Sequence, residues 1–291
     1  MFKGLTNTCA ILLLAAAISA TSCGNSKSES QANAEDILSE AQALYDSGKY
    51  VEAIGTIDSL MKKFPGIIDV QRQAMHLKTL VVEKQTILDS IANDSAIVAN
   101  KQIVDSLANN FKYVKTADMV EGYYVSKKVS SDNLTKRTNI EARINDFGDI
   151  YLISSLYGKN IKHTRLRAMA GDSTVETEAV PYDKARNYRF KDGGTTVEMV
   201  TFRKADCDTL CQFIADNAAK EIKLEFVGNK KYSYTLPQNT KSLIAETYTF
   251  ATHKAQLKKA EDLRLYYMKK LQITRKQSRQ TATNMKGGDA Q

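Results

Sequence analysis

Residues 67–111 contain neither proline nor glycine, and within them Val70, Ala74, Leu77, Val81, Leu88, Ile91 and Val98 recur on a seven-residue period interrupted by Lys84 and Ser95. Few structures are open to so long a stretch without a breaker. Spacings of three, four and seven place the apolar side chains along one stripe of a helix, not on alternate faces of a strand. The pattern predicts one long helix with residues 93–95 as its candidate break. Such a helix takes most of its stability from burying its stripe, so it requires a partner of comparable length. Ile-Leu-Asp-Ser-Ile-Ala-Asn at 87–93 is echoed by Ile-Val-Asp-Ser-Leu-Ala-Asn at 103–109, which reads as two similar helix faces and not as a repeat.

That partner is expected after Pro237. With Asn239 or Thr240 as candidate cap, Leu243, Phe250, Leu257 and Leu271 follow the same period, Arg264 interrupting, with Ala260 and Tyr267 in companion positions. Two stripes of equal period on either side of the middle of the chain, Val70 to Val98 and Leu243 to Leu271, predict one antiparallel helical stalk, its first helix within a region 34–120 that also holds a helical hairpin and its second spanning 238–277. The polar tail, residues 278–291, is expected to be disordered.

Between the stripes the character changes at Glu121. From 121 to 237 the chain shows β-branched and aromatic runs at 123–129, 139–145, 150–156, 163–169, 174–179, 186–190, 196–203, 221–227 and 231–236. Turn residues separate them. Asp192-Gly193-Gly194 and Gly228-Asn229 are hairpin signals. One helical segment, 207–219, interrupts the run. Short strands joined by tight turns predict an antiparallel β-sandwich-like domain. The expected class is α+β: an N-terminal helical hairpin and long helix, the β domain, and a long C-terminal helix pairing back as a stalk.

The beginning of the chain supplies an address. Lys3 precedes Leu12-Leu13-Leu14-Ala15-Ala16-Ala17-Ile18, and Ser19-Ala20-Thr21-Ser22 lead to Cys23. The apolar run is too short to span a bilayer, which takes ~20 residues, and has the form of a secretory signal. A cysteine placed after small residues resembles the lipobox of bacterial lipoproteins, with Ala20 where that motif favours Leu. The resemblance implies removal of residues 1–22 and diacylation of Cys23, and so a membrane as partner. Residues 23–33, rich in Ser, Asn and Gln, read as a tether. In lipoproteins of the Bacteroidota, acidic residues close behind the cysteine imply surface display. Here Glu29 stands alone, which implies an outer-membrane anchor facing the periplasm.

Residues 34–66 carry apolar positions at helical spacing on both sides of a turn at 47–49, predicting a helical hairpin. Ala41, Leu44 and Tyr45, then Gly48, Tyr50, Ala53 and Pro65, resemble one tetratricopeptide unit. No second copy follows, and a single unit makes no concave binding surface.

Chemistry is sparse. Cys207 and Cys211 lie four apart at a helix start, on one face; they read as half-buried thiols or as an envelope disulfide. Zinc wants four ligands at recognisable spacing, and none lies near. His76, His163 and His253 stand apart in sequence with no triad or metal pattern, and Glu176 and Glu178 share a strand face that reads as solvated. Most of the 14 tyrosines fall in or beside the β region. Tyr232 and Tyr234 share one face and form the candidate ligand surface, against the alternative of cross-strand packing. Nine basic residues between 254 and 279, opposed by Glu261 and Asp262, carry nearly all of the +8 net charge. They read as a solvated face or a contact for anionic lipid; nucleic acid is not expected in this compartment. The expected function is that of a non-enzymatic envelope lipoprotein acting as a protein-binding or scaffolding module, without cofactor or metal. Glycan binding by the tyrosine-rich domain is the alternative, and an envelope enzyme the remote one.

Overall fold

The computed structural model describes residues 25–130 and 134–288. The signal segment and Cys23 lie outside the described residues. The chain divides into two compact units, one of residues up to Ile87 together with those from Lys270, the other Leu88–Lys269.

The first unit is helical. Helices α1 (Asn25–Asp46) and α2 (Tyr50–Lys63) form the expected hairpin, turning at Gly48, whose φ of 76° is open to glycine without strain. The tether expected at 23–33 is helical from Asn25 onward. Ala34 and Ala41 of α1 and Ala53, Ile57 and Leu60 of α2 bury themselves with Val70, Ala74, Leu77 and Val81, from the first half of α3 (Ile68–Ala108). Small alanines on α1 let the helices approach closely while the branched residues fill the space between them. Gln71 Nε2 donates to the carbonyls of Met61 and Phe64, satisfying acceptors that the end of α2 leaves open. The last part of α5 (Gln238–Gly288) also belongs here, with Arg275 on Glu83 at 2.9 Å and His76 Nδ1 2.9 Å from Thr281 Oγ1. The tail expected to be disordered from 278 is helical to Gly288, the hydroxyl of Thr281 bonding back to the carbonyl of Gln277.

The second unit holds two antiparallel sheets. Sheet A runs in the order β1-β2-β3-β4-β8-β7: β1 (Phe111–Val114), β2 (Tyr123–Ser126), β3 (Asn139–Asn145), β4 (Ile150–Tyr157), β7 (Asn187–Asp192) and β8 (Thr195–Phe202). Sheet B runs β10-β9-β5-β6: β5 (Arg165–Ala170), β6 (Ser173–Glu176), β9 (Lys223–Val227) and β10 (Lys231–Thr235). The fold is α+β and sandwich-like, as the alternation predicts. Only β1 escapes it, falling where the helix was expected to continue. At the β7–β8 turn Gly193 and Gly194 have φ of 55° and 84°, the pair of positive values a tight hairpin needs. Ile140, Ala142 and Ile144 of β3, Leu152 and Leu156 of β4, and Val200 and Phe202 of β8 share one core with Leu166, Ala168, Leu224 and Phe226 of sheet B. Helix α4 (Lys204–Asp216) touches both sheets, adding Cys207, Leu210, Cys211 and Ile214 to that core. Ile244, Phe250 and Ala251 bring the start of α5 into it.

In this unit α3 and α5 run antiparallel. Asn93 Nδ2 donates to the carbonyl of Ala260 at 2.8 Å, His253 Nδ1 lies 2.8 Å from Asn100 Oδ1, and Arg264 pairs with Asp94 at 3.5 Å. The expected apolar stripe is not their seam. Leu88, Ile91 and Val98 are 50%, 58% and 57% exposed, while Phe250 turns to the β core, its ring 4.6 Å from Phe111. The seam is instead polar and small, Asn93 and Asn100 opposite Ala260 and His253, each pair seven apart. A hydrophobic periodicity cannot show such a seam. Helix α3 is continuous through 93–95, the candidate break, because Asn93 spends its side chain on the partner helix.

Candidate functional site

A cleft of about 800 Å³ opens on the outer face of sheet A. Its floor is a ladder across three strands. Arg143 of β3 sits opposite Tyr151 of β4 in register, and its guanidinium lies 4.3 Å from the ring centre of Tyr123 on β2. Behind it Glu141, two residues back and so on the same face, accepts from Arg143 Nε at 2.6 Å. The Glu141 side chain is 4% exposed. Burial, partly offset by the Arg143 charge and its hydrogen bond, pushes the Tyr151 phenol up to about 12, so it stays a neutral donor. The start of α4 forms the facing wall with Arg203 and Lys204, the latter 3.1 Å from Asp149. Met119, Glu121 and Gly122 make the rim.

A second constellation lies between the sheets. His163 Nε2 is 2.8 Å from Ser154 Oγ and its Nδ1 is 2.8 Å from Glu198 Oε2. Hydroxyl, imidazole and carboxylate thus stand in the order of an acyl-transfer triad. All three are fully buried, and neither the 800 Å³ cleft nor the smaller one near α5 is lined by any of them. Glu198 also accepts the backbone N–H groups of Lys162 and His163 at 2.7 and 2.9 Å. Burial raises its pKa, and the hydrogen bonds from the His163 ring and these two amides overcome that, holding the carboxyl below the ordinary range. The trio is a lock tying the loop before β5 to sheet A.

The residues singled out from sequence are dispersed. Cys207 and Cys211 are buried and stand as free thiols in the structure. Cys207 Sγ donates to the carbonyl of Phe202 at 3.3 Å, and burial, with the Cys207 thiol beside it, pushes the Cys211 thiol well up. Such a thiol is a poor nucleophile. Tyr232 and Tyr234 are half-buried and pack against the core, their rings 6.2 and 6.1 Å from Phe226. In register Tyr232 lies opposite Phe226 and Tyr234 opposite Leu224, so their face of β10 adjoins core residues of β9. Tyr234 instead lines a cleft of about 290 Å³ between β3 and the start of α5. Glu176 is engaged by Arg167 at 2.8 Å. Part of the basic stripe works inside the fold: Arg264 on Asp94, Lys258 on Asp262, and Lys254 4.8 Å from the Tyr124 ring centre.

Among the described residues no His, Cys, Asp and Glu cluster could hold a metal ion, and no helix is long and apolar enough to cross a membrane. Sequence reasoning passed over Tyr123, Arg143 and Tyr151. The available signal was alternation: Arg143 on β3 and Tyr151 on β4 occupy outward positions beside the inward Ile144 and Leu152. No protein family, curated protein or solved structure matches the chain.

Proposed function

We propose that this chain is a non-enzymatic lipoprotein of the bacterial envelope, tethered to the periplasmic side of the outer membrane through acylated Cys23, that binds a protein partner along its helices. The observation that carries the reading is apolar surface left open on α3 and α5 of the second unit. Leu88, Ile91 and Val98 on α3, and Leu265 and Met268 on α5, are each between 50% and 60% exposed. Leu88, Ile91 and Val98 follow spacings of three and seven, the register in which one helix receives another. Exposed apolar side chains recurring along a helix in this way support an interaction site. The sealed Ser154–His163–Glu198 trio supports the non-enzymatic part of the reading.

The test is site-specific photo-crosslinking in native membranes from Ile91 and Val98, with Lys101 on the same helix as control. A discrete adduct from the two apolar positions, absent at Lys101 and lost in Leu88→Glu, is expected. Equal labelling at all three positions rejects the interface. In parallel, Cys23→Ala should move the mature protein to the soluble fraction, and wild-type protein already soluble rejects the anchor.

A further inference from the structure

We propose that the cleft over Tyr123, Arg143 and Tyr151 is a binding site for a neutral oligosaccharide. The site goes beyond the protein-binding surface on the helices and is independent of it.

Three observations point there. The first is preorganisation. Arg143 is held from behind by Glu141 at 2.6 Å and from one face by Tyr123 at 4.3 Å. A guanidinium has five N–H donors, and only Nε is spent on Glu141. The η nitrogens remain for Tyr151 and for a ligand, in a fork whose orientation costs little further entropy on binding. An arginine serving only to neutralise Glu141 would need no aromatic stack beside an open cleft.

The second is charge. Arg143 is offset by Glu141 and Lys204 by Asp149, and the remaining charged lining residues, Arg203 and Glu121, are one of each sign. The cleft is balanced, so a polyphosphate or nucleic acid gains no net attraction in it.

The third is the kind of surface. The floor belongs to β2, β3 and β4, interior strands of the order β1-β2-β3-β4-β8-β7. Beneath the cleft β2 pairs with β3 at Tyr123–Asn145 and Tyr124–Ile144, and β3 with β4 from Asn139–Ser155 to Ile144–Ile150, so the floor is a sheet face with side chains toward the cleft, a poorer place for strand addition than an outer edge such as β1 or β7. The floor offers amphipathic tyrosine rings, planar polar groups that bond pairwise, and Thr201. Sugar rings present an apolar C–H face and adjacent hydroxyls that both donate and accept, which is the complement of this surface. A volume of about 800 Å³ lies in the ~300–1,000 Å³ range of small-ligand sites and suits two or three sugar rings.

The experiment is isothermal titration of the full mature chain with neutral trisaccharides built from glucose, mannose, galactose, xylose or N-acetylglucosamine, and with a trigalacturonate. At least one neutral trisaccharide should bind at micromolar to millimolar concentration. Tyr151→Phe should weaken it several-fold, and Arg143→Ala combined with Glu141→Gln, which strands no buried charge, by about tenfold or more, ~1.4 kcal/mol. Arg143→Lys should not restore binding, because it loses both fork and stack. Variants are compared after circular dichroism confirms a wild-type spectrum. Binding of trigalacturonate alone, no binding by any neutral sugar, or binding unchanged in both the Tyr151 and the Arg143 variants overturns the proposal. Leu88→Glu should leave sugar binding intact, so failure here and failure of the helical interface are read separately.

Discussion

Asn93 of α3 is buried with its amide nitrogen 2.8 Å from the carbonyl oxygen of Ala260 on α5. In a seam built from Asn93, Asn100, His253 and Ala260, register is set by directed hydrogen bonds more than by apolar area. A polar residue at such a position specifies alignment at some cost in stability.

Replacing Asn93 by Asp tests this. The carboxylate would face a carbonyl oxygen with no donor, leaving a buried charge uncompensated, and the midpoint of chemical denaturation should fall by the equivalent of about 2–4 kcal/mol. Asn93→Ala, which only deletes the bond, should cost about 1 kcal/mol. Equal effects of the two substitutions, measured by urea titration, would contradict a hydrogen-bonded seam.

Glu198 makes the fold acid-sensitive in a defined direction. Its carboxyl lies below the ordinary value in the folded chain, so its contribution is fully present above the unfolded Glu pKa of ~4.3 and is lost as pH falls through the folded value. Glu198→Gln should cost about 1–3 kcal/mol at neutral pH. The gap between the variant and wild type should then narrow below about pH 4. A constant gap from neutral pH to pH 3 would show that the charge of Glu198 is not what stabilises the loop.

The thiols give a chemical test of the β unit. Cys207 and Cys211 are free and buried, and burial disfavours the reactive thiolate. A thiol-specific chromogenic reagent should find both silent in native protein and both reactive in denaturant without prior reduction. Reactivity only after reduction would mean that the two form a disulfide.

Gly228 marks a close approach. A Cβ there would sit 2.4 Å from the carbonyl oxygen of Ile161 and 2.6 Å from that of Lys162, backbone atoms of the loop that carries His163. Gly228→Ala should destabilise by about 1–3 kcal/mol. The two-dimensional NMR resonances of the Lys162 and His163 amides should shift with it, and an unshifted pair would place the strain elsewhere.

Local rules determined much of this chain. The breaker-free run at 67–111 makes α3, Gly48 turns the hairpin, and Asp192-Gly193-Gly194 closes β7 on β8, because each depends on residues within a turn or two of one another. The period-2 alternation likewise placed β3, β4 and β8 through neighbouring side chains alone. Which faces meet is a different matter. Val70 to Val81 pack on the hairpin while Leu88, Ile91 and Val98 stay half-exposed, although all lie on one stripe. The choice is made by what else packs nearby, and polar bonds such as Asn93 to Ala260 carry no hydrophobic period. Ser154, His163 and Glu198 come from a strand, a loop and a second strand, and Tyr123, Arg143, Tyr151 and Arg203 from separate stretches of sheet A and the start of α4. Strand order and register alone bring such residues within a few ångströms. Those depend on non-local pairing energies that no short window of sequence contains.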